Sequence, residues 1–117
     1  MISDPSIKLR ELPFENPFYL VNREENRLFV FEKDSNTFGA YELPSLKELY
    51  KVEKIGDEPI VAMALTPNEE IIAILQEDAH IYFLRTSDGE VVSEFEENLK
   101  APSHIFFVSD SKFIVCY

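Results

Sequence analysis

The 117-residue chain has no tryptophan, one cysteine, three glycines and two histidines. Each scarcity removes a class of explanation. A lone cysteine, Cys116, cannot form an intrachain disulfide, and its apolar neighbours suggest a buried, inert thiol. Gly39, Gly56 and Gly89 are dispersed, so no glycine-rich loop can cradle a phosphate. His80 and His104 belong to no Cys/His cluster with metal-ligand spacing. They read as packing or surface residues, and neither a metal nor a cofactor is expected. Ser109-Asp110-Ser111 lacks a partner for nucleophilic chemistry and reads as a turn, so no catalytic residue is assigned.

No apolar run approaches the ~20 residues of a membrane-spanning helix. The longest is Ile60–Leu65. The N-terminus, Met1-Ile2-Ser3-Asp4-Pro5, lacks the basic-then-apolar order of a secretory signal. Positive charge is also scarce: 11 Lys and Arg stand against 22 Asp and Glu, a net charge of −11. Nucleic acid and anionic membranes need cationic residues to neutralise phosphate, so both are excluded as expected partners. The cytosol or nucleus is the expected compartment.

Hydrophobic residues are abundant at 45%, with Phe, Tyr, Val and Ile prominent, and these favour strands. Their spacing repeats. At an offset of 43, Pro17-Phe18-Tyr19-Leu20-Val21 lies on Ile60-Val61-Ala62-Met63-Ala64. Leu28-Phe29-Val30-Phe31 lies on Ile71-Ile72-Ala73-Ile74, and Glu48 to Glu53 on Val91 to Glu96. No gap is needed across this span. The same offset carries Pro59 onto Pro102, and at 42 Ile71 to Leu75 meets Phe113 to Tyr117.

Each unit holds four short apolar runs separated by polar turns, which predicts a four-stranded antiparallel meander. Strands are expected near 17–22, 27–33, 37–43 and 48–54, then near 60–66, 71–76, 80–86 and 90–97. The first two runs of each unit are nearly all apolar, whereas the fourth alternates. That gradient predicts an all-β fold of consecutive propeller blades, with first strands at the axis and fourth strands at a wet rim. Ser45-Leu46-Lys47-Glu48 has capping-box spacing and could start a helix. The repeat opposes this, because the matching segment holds Asp88-Gly89, a turn signal, and Val91-Val92.

A four-stranded period of about 40–45 residues resembles that of WD40 propellers. Leu65-Thr66-Pro67-Asn68-Glu69 resembles the segment ending that family's first strand, and Thr86 to Glu90 its turn between third and fourth strands. Gly56-Asp57 stands where the family often has Gly-His. Tyr41-Glu42 and Leu84-Arg85 stand where it has Trp-Asp. Both signature dipeptides are therefore replaced, and with them the buried hydrogen-bond network the resemblance would imply.

The expected organisation is a single partial propeller: an N-terminal segment over 1–15, blade 1 over 16–57, blade 2 over 58–100 and half a blade over 101–117. Ile7-Lys8-Leu9-Arg10 is a candidate closing strand. A closed ring usually takes about 4–8 blades. The ring here is incomplete, and the rest is expected from a longer chain or from further copies.

The expected function is a non-enzymatic protein-interaction scaffold. In a propeller, Asp34, Asp57, Glu58, Glu77 and Asp78 would share one loop face, able to receive a basic peptide or simply to hold solvated loops. Two alternatives are a propeller enzyme fragment of the metal-dependent hydrolase or lactonase type, and a self-assembling sugar-binding propeller.

Overall fold

The computed structural model describes residues 17–32, 35–43, 45–96 and 102–116. The candidate strand at Ile7 to Arg10 lies outside them. Among the described residues, ten strands follow in order: β1 (Pro17–Val21), β2 (Arg27–Glu32), β3 (Thr37–Glu42), β4 (Glu48–Val52), β5 (Ile60–Leu65), β6 (Ile71–Gln76), β7 (His80–Arg85), β8 (Val91–Glu96), β9 (His104–Ser109) and β10 (Lys112–Cys116). They form two four-stranded antiparallel sheets, β1-β2-β3-β4 and β5-β6-β7-β8, and a β9-β10 hairpin. The sheets are not closed into a ring. Segment 48–52 is a strand and not a helix, as the repeat required.

Adjacent sheets stack face to face, and the inner strands lie together, β5 packing against β1 on one side and β9 on the other. The largest cluster joins Phe29, Phe31, Phe38 and Ala40 of the first sheet to Ile72, Ile74 and Leu84 of the second. A second cluster joins Ala64, Ala73, Leu75 and Ile81 to Ile105 of the hairpin. Leu28, Val30 and Tyr41 cluster on the far side of the first sheet.

The burial gradient differs from expectation. β2, β3 and β6 are the most buried, each lying in the middle of its sheet with neighbours on both edges, whereas β7 is no more buried than the inner strand β5. β8 is exposed throughout its length.

The repeat is also not gap-free. The pairs Phe18 with Phe31 and Leu20 with Phe29 correspond to Ala62 with Leu75 and Ala64 with Ala73, an offset of 44. A bulge between Ile60 and Ala62 inserts one residue. The link from β6 to β7 is one residue shorter than that from β2 to β3, which restores 43. Side chains alternate along a strand, so a one-residue slip inverts every face. Phe29 therefore matches Ala73, both facing the following sheet, and not Ile72, which faces the preceding one. The hairpin is displaced likewise: Met63 and Leu65 match Ile105 and Phe107 at an offset of 42. A second bulge recurs in register, at Ala40/Tyr41 in the first sheet and Phe83/Leu84 in the second.

Tyr50 links two sheets through one hydrogen bond. Its hydroxyl donates to the Thr86 carbonyl at 2.7 Å. The 86–90 turn can approach because Gly89, at φ 77°, offers no side chain; a Cβ there would lie 2.7 Å from the Tyr50 ring and from Val52. Burial, reinforced by Asp88 and opposed by Arg27, holds the Tyr50 phenol far above its ordinary value of 10.0. Tyr50→Phe is expected to cost about 1–2 kcal/mol in denaturant unfolding, leaving the Thr86 carbonyl without this donor. The raised phenol also sets a pH dependence. Its contribution is complete below the unfolded-state value near 10 and declines as pH rises above it, because the unfolded chain ionises first. Alkaline unfolding of the Phe variant should lose this component.

Candidate functional site

Two sets of loops emerge from the stacked sheets, one at each end of the strands. One end carries the 22–26, 66–70 and 110–111 hairpin turns, which are linked from sheet to sheet. The Arg23 N–H donates to Glu69 Oε2 at 2.7 Å, and the Asn68 N–H to Asp110 Oδ1 at 2.9 Å. Arg23 also donates through Nη2 to the Pro67 carbonyl. Asn22, Glu24, Asn26, Arg27, Phe29, Glu69 and Thr86 line a cleft of about 180 Å³ there.

The opposite end carries the segment 53–59 between the first two sheets and the 77–79 turn. Buried amides hold this segment in place. Asn36 Nδ2 donates to the carbonyls of Ile55, Gly56 and Glu58 at 3.0, 3.1 and 3.0 Å. Gln76 Nε2 reaches the same Ile55 carbonyl at 3.0 Å, and the Ile55 N–H donates to the Asn36 carbonyl at 2.7 Å. Asn36 sits at φ 54°, in the left-handed region that Asn tolerates better than most residues. Ile55 is thereby anchored in the largest apolar cluster. These bonds staple blade to blade where the sequence has neither signature dipeptide.

The Glu77 N–H donates to the Pro59 carbonyl at 2.8 Å, tying the turn to the inter-sheet segment. Asp57, Glu58, Glu77 and Asp78 are thus brought to one loop face, all exposed. Asp34 lies outside the described residues. Asp57 has a partner, the Lys54 ammonium at 3.3 Å, in an exposed pair of the kind that contributes little. The Asp78 carboxylate accepts the His80 N–H at 3.0 Å.

An adjoining group is not evident in the sequence. The His80 and Tyr82 rings stack at 4.4 Å, and His80 Nε2 lies 2.9 Å from Glu94 Oε1. The alternation of positions 80 and 82 is readable, but Glu94 joins them only through the β7–β8 register. Burial, then the carboxylates of Glu94, Asp78, Asp57 and Glu96, raise the Tyr82 phenol above its ordinary value. Four carboxylates thus act on one ring beside the acidic face.

His104 is exposed and contacts Ser103 Oγ at 3.0 Å. Cys116 is half-buried, less enclosed than its apolar run suggested, because β10 is an outer strand among the described residues. Among the described residues, no three His, Cys, Asp or Glu side chains are grouped to hold a metal ion, and no helix is long and apolar enough to cross a membrane.

The architecture has solved counterparts. The WD40 repeats of RRP9 superpose at a TM-score of 0.68 with 16% identity, over 78% of this chain and 28% of that one. The C-terminal WD40 domain of Sif2 gives 0.69 with 16% identity, over 87% and 30%. This chain has the WD40 β-propeller fold. The β-propeller domain of Cps50 (Swd1) from Myceliophteria thermophila gives 0.70 with 12% identity, over 83% and 31%. The chain spans about a third of the length of the solved propellers it matches. No protein-family model and no curated protein matches the sequence. In WD40 terms, the two four-stranded sheets are blades and the β9–β10 hairpin is the inner half of another.

Proposed function

We propose that this chain is a non-enzymatic protein-interaction scaffold whose acidic loop face takes a basic partner. The observation carrying this reading is the tie between Glu77 and Pro59, which sets Asp57 and Glu58 beside Glu77 and Asp78 on a segment stapled by buried amides. Loops on a rigid scaffold lose little entropy on binding, and clustered carboxylates attract Lys and Arg at long range. The basic side chains of a peptide would meet the carboxylates, and their alkyl stems the His80–Tyr82 stack. The expected setting is the cytosol or nucleus. The same reading includes further blade-like sheets against the open blade faces, from a longer chain or from other copies.

Fluorescence anisotropy with a Lys/Arg-rich peptide tests the acidic face. The combined variant Asp57→Asn, Glu58→Gln, Glu77→Gln, Asp78→Asn should bind about fourfold to several-hundredfold more weakly, if each exposed pair contributes about 0.2–1 kcal/mol. Its affinity should also respond less to salt, while its melting temperature stays near that of the parent. Equal binding by parent and variant removes the acidic face from the function.

A further inference from the structure

β8 is an open edge. It ends the β5-β6-β7-β8 order, so its main chain pairs with β7 on one side and, among the described residues, with no strand on the other. All six of its residues are exposed. A bulge interrupts the ladder at Phe83/Leu84, but Ser93 to Glu96 then run opposite Phe83 to His80 without a break. Proteins usually blunt such an edge with Lys, Pro or a covering element. β4, the corresponding edge of the first blade, carries Lys51, ion-paired with Glu48 at 3.9 Å. β8 contains no Lys, Arg or Pro.

The two sides of this edge differ in chemistry. Side chains alternate along a strand, so Glu94 and Glu96 stand with their ladder partners Tyr82 and His80. Tyr82 packs toward the first blade, which puts both carboxylates on that side. Glu94 meets the His80 ring at 2.9 Å, and among the described residues Glu96 has no ion-pair partner. Phe95 and its ladder partner Ile81 take the other side, where the Phe95 ring meets Phe113 edge-on at 5.5 Å. Phe95 is still 40% exposed. Three consecutive residues thus offer acid, aromatic and acid to whatever lies alongside.

We propose that β8 receives an extended segment of a partner protein in which Lys or Arg alternates with apolar residues, added to the sheet beside β8. Main-chain hydrogen bonds to the open edge supply affinity, and side chains at alternate positions supply selection. The residues next to Glu94 and Glu96 are cationic, and the apolar residue between them lies beside Phe95. A second copy of β8 is the wrong occupant, because its charges are all negative and like charges across a strand pair repel. The site uses none of Asp57, Glu58, Glu77 and Asp78, so it and the acidic loop face can fail independently.

Fluorescence anisotropy on the 117-residue chain provides the test, with a labelled peptide of about eight residues that alternates Lys and Val. A peptide of the same composition with Lys and Val in separate blocks should bind about tenfold more weakly or worse, since it cannot match both sides of the edge. Only alternate residues of an added strand turn their N–H groups toward β8. N-methylation at one set of alternate positions should therefore abolish binding, and at the other set leave it within about twofold. Glu94→Gln with Glu96→Gln should weaken binding about two- to thirtyfold, and hydrogen exchange of the β8 amides should slow when the peptide is bound. The Asp57→Asn, Glu58→Gln, Glu77→Gln, Asp78→Asn variant should still discriminate between the two methylated peptides. Equal effects of the two methylation patterns, equal binding of the block peptide, indifference to the β8 substitutions, or lost discrimination in the loop variant would overturn the proposal. So would a chain that pairs with its own copy through β8 and leaves the peptide unbound.

Discussion

Phe31→Ala is expected to destabilise the chain by about 3–5 kcal/mol, the largest effect of any single side-chain truncation considered. Phe31 is fully buried in the middle strand pair of the first blade. Its cross-strand neighbours are Phe18 and Phe38, and its cluster reaches across to Ile72 and Ile74 of the second blade. Truncation removes the ring's transfer energy and leaves a cavity walled by β-strands of two sheets, which cannot collapse without breaking ladder bonds. Domains of this size are stable by only about 5–15 kcal/mol, so the loss is a large share of the total. Urea unfolding followed by circular dichroism should show a much lower midpoint. Val92→Ala, on the exposed outer strand β8, should move the midpoint by no more than about 0.5 kcal/mol equivalent. Similar losses at both sites would mean that the two blades do not share the central cluster.

Gly56→Ala is expected to cost about 2–5 kcal/mol, although it adds only one methyl group. Gly56 sits at φ 70°, where an L-residue pays roughly 1–2 kcal/mol. A Cβ at this position would lie 2.0 Å from Gln76 Nε2, so the buried amide must move. Moving it breaks the bond from Gln76 to the Ile55 carbonyl, and losing a buried hydrogen bond costs about 1–3 kcal/mol. Thermal unfolding of Gly56→Ala beside Gln76→Ala and the double variant separates the terms. If the clash acts through Gln76, the double variant should be no less stable than the sum of the two single losses and should recover part of it. Strict additivity would leave only the backbone term. Because this segment carries Asp57 and Glu58, Gly56→Ala should also weaken any binding through the acidic face.

Much of the architecture was legible from residue types alone. The runs at 27–33, 37–43, 71–76 and 80–86 match the observed β2, β3, β6 and β7 to within one or two residues. Each is apolar, β-branched or aromatic, and each is bounded by turn-forming residues such as Asn36 or Asp78-Ala79. The choice of strand over helix at 48–52 came from the repeat, with Asp88-Gly89 outweighing the capping-box spacing at Ser45. The fold comparison with WD40 propellers rests on the same pattern, since identities of 16% and below carry little residue-level information.

The candidate site was only half legible. That Asp57, Glu58, Glu77 and Asp78 share a face follows from a propeller's loop order, once that order is assumed. Nothing in the residue string shows that Glu77 bonds Pro59, or that Asn36 and Gln76 converge on one carbonyl; those contacts span 18 to 21 positions or more and need the ladders in place. The His80–Tyr82–Glu94 group depends on the β7–β8 register in the same way.

By itself, the sequence determined the class of fold, the number of strands in each unit and the absence of strong positive charge. These depend on composition and on apolar spacing, which act locally. Only the tertiary structure decided which face each apolar residue takes. Leu28 to Phe31 and Ile71 to Leu75 are apolar on both sides, so they hold no alternation from which a register could be read. The bulge at Val61 shifts the correspondence by one residue, and packing between neighbouring blades selects the single register that puts Phe29 and Phe31 against Ile72 and Ile74.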